Sequence, residues 1–140
     1  MKIFLISPVR GILPGNRFHK ICERYVKEQE GLGNQVHWPL RDTNQKAPLD
    51  EILSQNFQAM KESDLVAICW SEDSRGSYLD LGMWMVFNKC FRKPIIVINP
   101  EDIQRTPQKS FNNFLLDLNE KNLIRLARDY RVNARCERAS

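Results

Sequence analysis

The sequence predicts a single α/β domain in which a parallel β-sheet is covered by helices on both faces. Four short apolar runs, rich in β-branched residues, indicate strands, and they are Lys2–Ser7, Gln35–Trp38, Leu65–Trp70 and Pro94–Asn99. Longer segments with apolar residues at helical spacing separate these runs. Near-continuous apolar strands that alternate with helices are typical of a parallel sheet buried between two helical layers.

The helices follow from the spacing of apolar residues between these strands. The predicted helices are Asn16–Glu30, Asp50–Glu62 with Asp50 as its cap, Ser77–Lys89, and Ser110–Leu118. The polar stretch Leu40–Pro48 is predicted to be an irregular loop. Each strand is therefore joined to the next by a segment long enough to cross over the sheet.

Right-handed crossovers between these elements give the strand order 2-1-3-4, with space for one further edge element. This order predicts a flavodoxin-like three-layer sandwich with a parallel sheet of four to five strands. The amphipathic segment Asn122–Tyr130 fits either a helix or an edge strand. We expect residues 1–120 to form the domain, and residues 121–140 to be a basic segment that packs on the domain or frays from it.

Charge and cysteine usage limit the classes of partner. The net charge is +4, with much of the excess after Glu120. No nucleic-acid-binding motif accompanies these charges, so we expect a solvated basic helix rather than a nucleic-acid interface. The four cysteines show neither a CxxC pair nor disulfide spacing, which indicates a reducing, cytoplasmic setting. The apolar start is too short for a signal peptide or a membrane span, so no membrane association is expected.

Polar residues follow three predicted strands at the ends that a parallel sheet brings together. They are Ser7, Arg10 and Gly11 at the end of the first strand and just after it, Asp42 after the second, and Ser74, Gly76, Ser77 and Asp80 after the third. Ligands of open α/β sheets bind in the crevice at these carboxyl ends. Hydroxyls, free backbone N–H groups and an arginine suit a phosphate or a sugar, and a glycine lets the ligand approach the backbone closely.

Several of these residues have a purely structural alternative. Ser77 and Asp80 fit a capping box, in which both only stabilise the start of a helix. Trp38 and Trp70 fit either the walls of a pocket for a flat aromatic base or the edge of the core. The two histidines have no second ligand at metal spacing, so no metal is expected. Without a P-loop or a GxGxxG motif, neither an NTPase nor a dinucleotide oxidoreductase is indicated, and we expect no cofactor.

Taken in order, several segments resemble the nucleoside 2-deoxyribosyltransferase superfamily, which includes the deoxynucleoside 5′-phosphate N-hydrolases. They are Lys2–Gly11, Val36–Thr43, the pair Ser63–Asp64, and Ser74–Gly82 with the pattern Ser-x-Gly-Ser-x-x-Asp-Leu-Gly. The resemblance implies a flavodoxin-like fold and cleavage of the N-glycosidic bond of a deoxynucleoside. It also implies a carboxylate nucleophile that forms a covalent glycosyl-enzyme, which water or a free base then resolves.

By position, the resemblance places the nucleophile on Asp80 and a residue that contacts the sugar's 5′ end on Ser74. A serine there, together with Arg10, favours a 5′-phosphate, because a phosphate needs hydrogen-bond donors and a cation. Two departures from the family pattern bear on activity. The family nucleophile is a glutamate, so the carboxylate of Asp80 lies one methylene further back. A family aspartate falls on Asn56, whose amide orients a ligand without transferring protons, and Asp42 is the candidate to supply that role.

These observations leave two principal hypotheses for function. The first is cleavage or transfer at the N-glycosidic bond of a (deoxy)nucleoside or its 5′-phosphate, with Asp80 as nucleophile. The alternative is a catalytically weak or inactive nucleotide-binding sensor of the same fold, and a scaffold with no ligand is a third. Family members are commonly homo-oligomers. The apolar residues Met83, Trp84, Val86 and Phe87 exceed what one buried helix face needs, which favours a subunit interface over the alternative of a fully buried core helix.

Overall fold

The computed structural model describes the backbone of residues 1–139 and the side chains of residues 1–126. Ser140 and the side chains after residue 126, which include most of the predicted basic segment, lie outside the described residues. The elements are β1 (Lys2–Ile6), α1 (Arg17–Gly31), β2 (Gln35–His37), α2 (Pro39–Asp42), α3 (Leu49–Glu62), β3 (Leu65–Ile68), α4 (Arg75–Phe91), β4 (Ile95–Val97), the 3₁₀ turn Pro100–Asp102, and α5 (Phe111–Ala139).

The four strands form one parallel sheet in the order β2-β1-β3-β4, so the predicted order is confirmed. Phe4 on β1 lies opposite His37 on β2 and Val66 on β3, which fixes the register at the centre of the sheet. The carboxyl ends of β1, β2 and β3 therefore lie side by side, as the argument for a ligand crevice requires. The architecture is a flavodoxin-like α/β fold with four strands.

Two apolar clusters fill the space on either side of the sheet, because successive strand residues point to opposite faces. On one face Phe4 and Ile6 pack with residues of α3, α4 and α5, among them Met60, Leu81, Trp84, Phe87 and Leu115. On the other face Ile3 and Leu5 pack with Ile21, Cys22 and Val26 of α1. Every residue of β3 is buried, as expected for a central parallel strand.

Two local predictions are corrected, and one open alternative is decided. The stretch predicted as an irregular loop begins with the single helical turn α2, closed by a hydrogen bond from Trp38 N–H to the Asp42 carboxylate at 2.8 Å. Helix α3 begins one residue earlier than predicted, so Asp50 lies within its first turn and does not cap it. The ambiguous segment is part of α5, which continues across residue 120 without a break.

None of the helices in residues 1–139 combines the length and the apolar character that crossing a membrane would need.

Candidate functional site

The loop after β3 delivers Asp80 on the second turn of α4. Ser74 is the N-cap, and its hydroxyl accepts hydrogen bonds from Ser77 N–H at 3.3 Å and from Ser77 Oγ at 2.8 Å. The helix thus begins two residues before the predicted start, and the capping box of Ser77 with Asp80 is wrong. Both serines suit an N-cap, so the sequence does not distinguish between them. In the structure Ser74 is the cap, because it directly precedes the helix and its hydroxyl accepts from an N–H of the first turn. Asp80 is therefore not used to hold the helix end.

Asp80 is enclosed by protein, with 7% of its surface exposed. Burial disfavours the charged carboxylate and raises the pKa of Asp80 to about 6, while a hydrogen bond with the Asn56 side chain acts in the opposite direction. The carboxyl is thus roughly 90% ionised at pH 7. A buried, partly desolvated carboxylate of this kind is more basic than a surface aspartate, as a nucleophile requires.

A line of hydrogen-bonded side chains runs from the sheet to Asn56, whose side chain favours the charged form of Asp80. Asn56 on α3 is buried, and its Oδ1 accepts a hydrogen bond from Thr43 Oγ1 at 2.9 Å. Thr43 Oγ1 in turn lies 3.0 Å from Nε2 of His37, whose ring stacks on Phe4 at a centroid distance of 5.5 Å. Sequence reasoning selected Asn56 but missed Thr43 and His37. The only available signal was that both lie in the Val36–Thr43 segment.

Ser7 lies directly after β1 and is joined to the end of β2. Its Oγ accepts a hydrogen bond from the indole Nε1–H of Trp38 at 3.0 Å, and both residues are buried. Because the serine oxygen already accepts a hydrogen bond, its own hydroxyl hydrogen remains a donor for another group. The first and second strand ends are thus linked at the crevice.

The two tryptophans lie deeper than a base-stacking role predicts. Trp38 is 6% exposed and Trp70 is 3% exposed, each in one of the two core clusters. The Nε1–H of Trp70 donates to Asn112 Oδ1 at 2.9 Å, and its ring packs edge-to-face on Tyr78. Each indole N–H finds a partner inside the protein, so the whole ring can be buried, which sequence alone does not reveal. The broad ring faces are therefore enclosed by the core.

The loop after β1 is exposed and contains the other predicted ligand-binding residues of this strand end. Arg10 and Gly11 lie in a turn in which Ile12 N–H donates to Val9 O at 3.4 Å. Gly11 has φ +70, a left-handed conformation that glycine adopts without strain. In the first turn of α4, a Cβ on Gly76 would meet no atom within 4 Å, so this surface is open to an approaching group.

Asp42 accepts three hydrogen bonds, from Trp38 N–H and Arg41 Nε, both at 2.8 Å, and from Arg41 Nη2 at 2.9 Å. Burial alone would raise the pKa of Asp42, but these hydrogen bonds and the positive charge of Arg41 outweigh it and keep the pKa below its ordinary value. Asp42 also lines a cavity of about 520 Å³ beside β2, together with His37 and Arg41. An ionised carboxylate of this kind is a poor proton donor at neutral pH.

A second cavity, of about 580 Å³, lies between α4 and α5. It is lined mainly by apolar residues, among them Tyr78, Leu81, Met85, Phe111 and Phe114. Asp80 lines neither this cavity nor the one beside β2. Among the described residues, no group of three or more His, Cys, Asp or Glu side chains is placed to hold a metal ion.

Comparison with known proteins gives structural rather than sequence similarity. No protein-family model matches the sequence, and no curated protein matches it significantly. The CMP N-glycosidase BcmB of Clostridium botulinum aligns with a TM-score of 0.51 and 20% identity, over 69% of this chain and 67% of that one. The 2-deoxyribosyltransferase of Bacillus psychrosaccharolyticus aligns with a TM-score of 0.52 and 18% identity, over 69% of this chain and 71% of that one. At these identities the similarity establishes a shared fold.

Proposed function

We propose that this chain, which has the fold of the nucleoside 2-deoxyribosyltransferase superfamily, acts at the N-glycosidic bond of a (deoxy)nucleoside or its 5′-phosphate. The observation that carries the proposal is the buried carboxyl of Asp80. It follows the central strand β3, it has a pKa of about 6, and the Ser74 cap leaves it free of a capping role. Two proteins of the same fold are a CMP N-glycosidase and a 2-deoxyribosyltransferase.

In the proposed reaction the Asp80 carboxylate attacks C1′ of the sugar. The C1′–N bond breaks as the new C1′–O bond forms, and the base leaves with the bonding electron pair and takes a proton from solvent. Water then attacks C1′ of the glycosyl ester, the C1′–O bond to Asp80 breaks with its electron pair returning to the carboxylate, and the water loses one proton to solvent as the sugar is released. A second base in place of water gives a new nucleoside instead. Asn56 supports the ionised form of Asp80 through its hydrogen bond.

The 5′ end of the substrate lies, in this proposal, between the loops that follow β1 and β3. Ser74 lies at the positive end of the 17-residue helix α4, which favours an anion, and its own hydroxyl hydrogen remains a donor. Ser77 is fully buried and supports Ser74 by donating a hydrogen bond to its hydroxyl. Ser7 contributes a hydroxyl donor and Arg10 contributes a positive charge. Gly11 and Gly76 leave the backbone beside them accessible to the substrate, since no atom would meet a Cβ at either position. Trp38 supports Ser7 from the core, and Trp70 supports Tyr78 at the start of α4.

The proposal is tested by incubating the purified protein with CMP, dCMP, other nucleotides and the matching nucleosides, and measuring free base by chromatography. Asp80→Ala should abolish release while far-UV circular dichroism remains that of the parent. Asp73→Ala is the matched control, because Asp73 is an exposed carboxylate in the loop that precedes α4. Addition of a second free base separates transfer from hydrolysis. Release by Asp80→Ala at the parental rate would remove Asp80 from the reaction.

One set of observations favours the alternative, a nucleotide-binding module without turnover. Asp80 is 7% exposed and lines neither described cavity, and Asn56 stands where the family resemblance implies a carboxylate. Access of a sugar to Asp80 would then require the surrounding loops to move. The alternative predicts thermal stabilisation by nucleotides, following mass action, with no base released. Base release that depends on Asp80 would decide for the enzyme.

We further propose that the chain forms a homo-oligomer through the outer face of α4. Trp84 and Phe87, which the sequence pattern included in this face, are core residues, but Val86 is 59% exposed and Leu79 is 48% exposed. Apolar side chains exposed on one helix face are typical of an interface. Light scattering over a concentration series should show a dimer or larger species that Val86→Glu dissociates. A monomer at all concentrations would contradict the proposal.

A further inference from the structure

The hydrogen-bonded side chains that lead to Asp80 have a fixed direction. A threonine hydroxyl has one hydrogen, and here Thr43 donates it to Oδ1 of Asn56 at 2.9 Å. The contact of 3.0 Å between Thr43 Oγ1 and His37 Nε2 must then be donated by the histidine. The tautomer of His37 with hydrogen on Nε2 is the one that completes this arrangement.

The direction matters because the two ends of an asparagine amide act oppositely on a carboxylate. With Oδ1 occupied by Thr43, the amide nitrogen of Asn56 is the group left to interact with Asp80, and the Asn56 side chain favours the charged form of that carboxyl. A rotation of the amide by half a turn would present an oxygen to the carboxylate and disfavour ionisation. Thr43 is 5% exposed and Asn56 is 6% exposed, so water cannot readily replace either contact.

We propose that Thr43 and His37 are positioning residues for Asp80, because they hold the Asn56 amide with its nitrogen toward the Asp80 carboxyl. Neither residue touches the reacting atoms in this proposal, and its catalytic consequence rests on the proposed function of Asp80. The anchor of the arrangement is the sheet itself: His37 ends β2 and stacks on Phe4, which is fully buried in β1.

The surroundings of His37 favour the neutral ring that this arrangement uses. Burial lowers the pKa of His37, Asp42 acts to raise it, and Arg41 acts to lower it further. For Asp80 itself, burial raises the pKa and the Asn56 side chain lowers it. The hydrogen bonds therefore link β2, Thr43 after α2, and α3, and the Asn56 side chain extends their influence to the Asp80 carboxyl on α4.

The test measures the Asp80 pKa by ¹³C NMR of the side-chain carboxyl, which requires no turnover. Thr43→Val keeps the shape of the side chain and removes the hydroxyl, and we expect it to raise the pKa of Asp80 by about one pH unit. It should also shift the Asn56 side-chain amide resonances. Thr43→Ser keeps the hydroxyl and should restore both parental values. Thr106→Val is the matched control, because the Thr106 hydroxyl bonds Gln108 O and Ser110 near the start of α5.

The outcomes distinguish the positioning role of Thr43 and His37 from the proposed reaction at the N-glycosidic bond. If Thr43→Val titrates like the parent, the positioning role is overturned, whatever the activity. If Thr43→Val does not fold, His37→Phe decides, since it keeps the ring stacked on Phe4 and removes the donor; parental Asn56 resonances would then refute the proposal. If the Asp80 pKa responds as expected but no substrate is cleaved, the positioning role stands and the proposed reaction fails.

Discussion

The backbone N–H of Val97, on the edge strand β4, donates a hydrogen bond to Oδ1 of Asn119 on α5 at 2.7 Å. About one helical turn further, Nδ2 of Asn122 donates to the carbonyl of Ile95 at 2.9 Å. Both asparagines are buried. The two amides thus give β4 hydrogen bonds that a fifth strand would otherwise supply, and α5 covers a sheet edge that would be open to pairing with other chains.

This arrangement predicts a specific cost for losing one amide. Asn119→Leu should lower the free energy of unfolding by about 1–3 kcal/mol, because it leaves the buried Val97 N–H without an acceptor. Urea denaturation followed by circular dichroism measures the change. Lys121→Gln, an exposed substitution on the same helix, is the control and should stay within about 0.5 kcal/mol of the parent. Equal stability of the two variants would show that Asn119 does not support the edge.

The same two asparagines show where sequence reasoning about the fold ends. The strands and their order follow from apolar runs and crossover rules, which depend on local pattern and chirality. By contrast, a buried asparagine in an amphipathic helix has the same sequence appearance as an exposed one. Residues 122–130 therefore fitted both a helix and an edge strand, since the covering of β4 depends on contacts distant in the chain. The turn α2 was missed for a similar reason, because Asp42 closes it through Trp38 N–H.

In the candidate site, too, some residues were predictable from the sequence and others were not. The topology placed Ser7 and Asp80 at neighbouring strand ends, and the family resemblance selected Asp80 and Asn56. The capping residue was misplaced by three positions, because Ser74 and Ser77 both suit a helix start. The burial of Trp38 and Trp70 was not predictable, since an indole at a strand end has the same sequence signature in the core and at the surface. Thr43 gave no signal, because its role depends on the orientation of the Asn56 amide.

The raised pKa of Asp80 makes its carboxyl a source of pH-dependent instability. With a folded-state pKa of about 6 against an ordinary 3.8, the folded protein binds the proton more tightly than the unfolded chain. This contribution to stability is fully present below about pH 4 and is lost as the pH rises through 6. Asp80→Asn removes the charge, so at pH 8 it should be more stable than the parent by up to about 3 kcal/mol.

Urea denaturation of Asp80→Asn and the parent at pH 4 and at pH 8 tests this difference. The gap between them should shrink toward pH 4, where the parental carboxyl is largely protonated. Asp73→Asn, which removes an exposed carboxylate of the adjacent loop, is the matched control for the loss of a carboxylate. A gap between Asp80→Asn and the parent that does not change with pH would contradict the assignment of the instability to the buried charge.

The same pKa sets the pH dependence of the proposed reaction. A nucleophilic carboxylate is active only when ionised, so kcat/KM should fall on the acidic side with a midpoint near pH 6, about tenfold for each further pH unit. Base release from CMP or dCMP between pH 4.5 and 8 measures the profile. Thermal melts at each pH check that the protein stays folded. Constant kcat/KM from pH 5 to 7 would mean that Asp80 does not titrate in the free enzyme, or is not the nucleophile.

Ser74 combines two roles that one substitution can separate. It caps α4, and in the proposed function it lies against the 5′ end of the substrate. Aspartate is as good an N-cap as serine and also favours the positive end of the helix, so Ser74→Asp should keep or slightly raise the melting temperature. It also places a negative charge where a 5′-phosphate would lie. Binding of a nucleoside 5′-monophosphate should therefore weaken at least about tenfold relative to the matching nucleoside, because like charges repel.

The ratio of the two dissociation constants, measured by calorimetry for CMP and cytidine or for dCMP and deoxycytidine, tests this selectivity. Ser110→Asp is the matched control, because the Ser110 hydroxyl accepts a hydrogen bond from Asn113 N–H at the start of α5 at 3.2 Å. It adds the same charge to another helix start and should leave the ratio unchanged. If Ser74→Asp weakens nucleoside and monophosphate equally, Ser74 acts only as a cap, and the phosphate, if it binds, is held by other residues of the crevice.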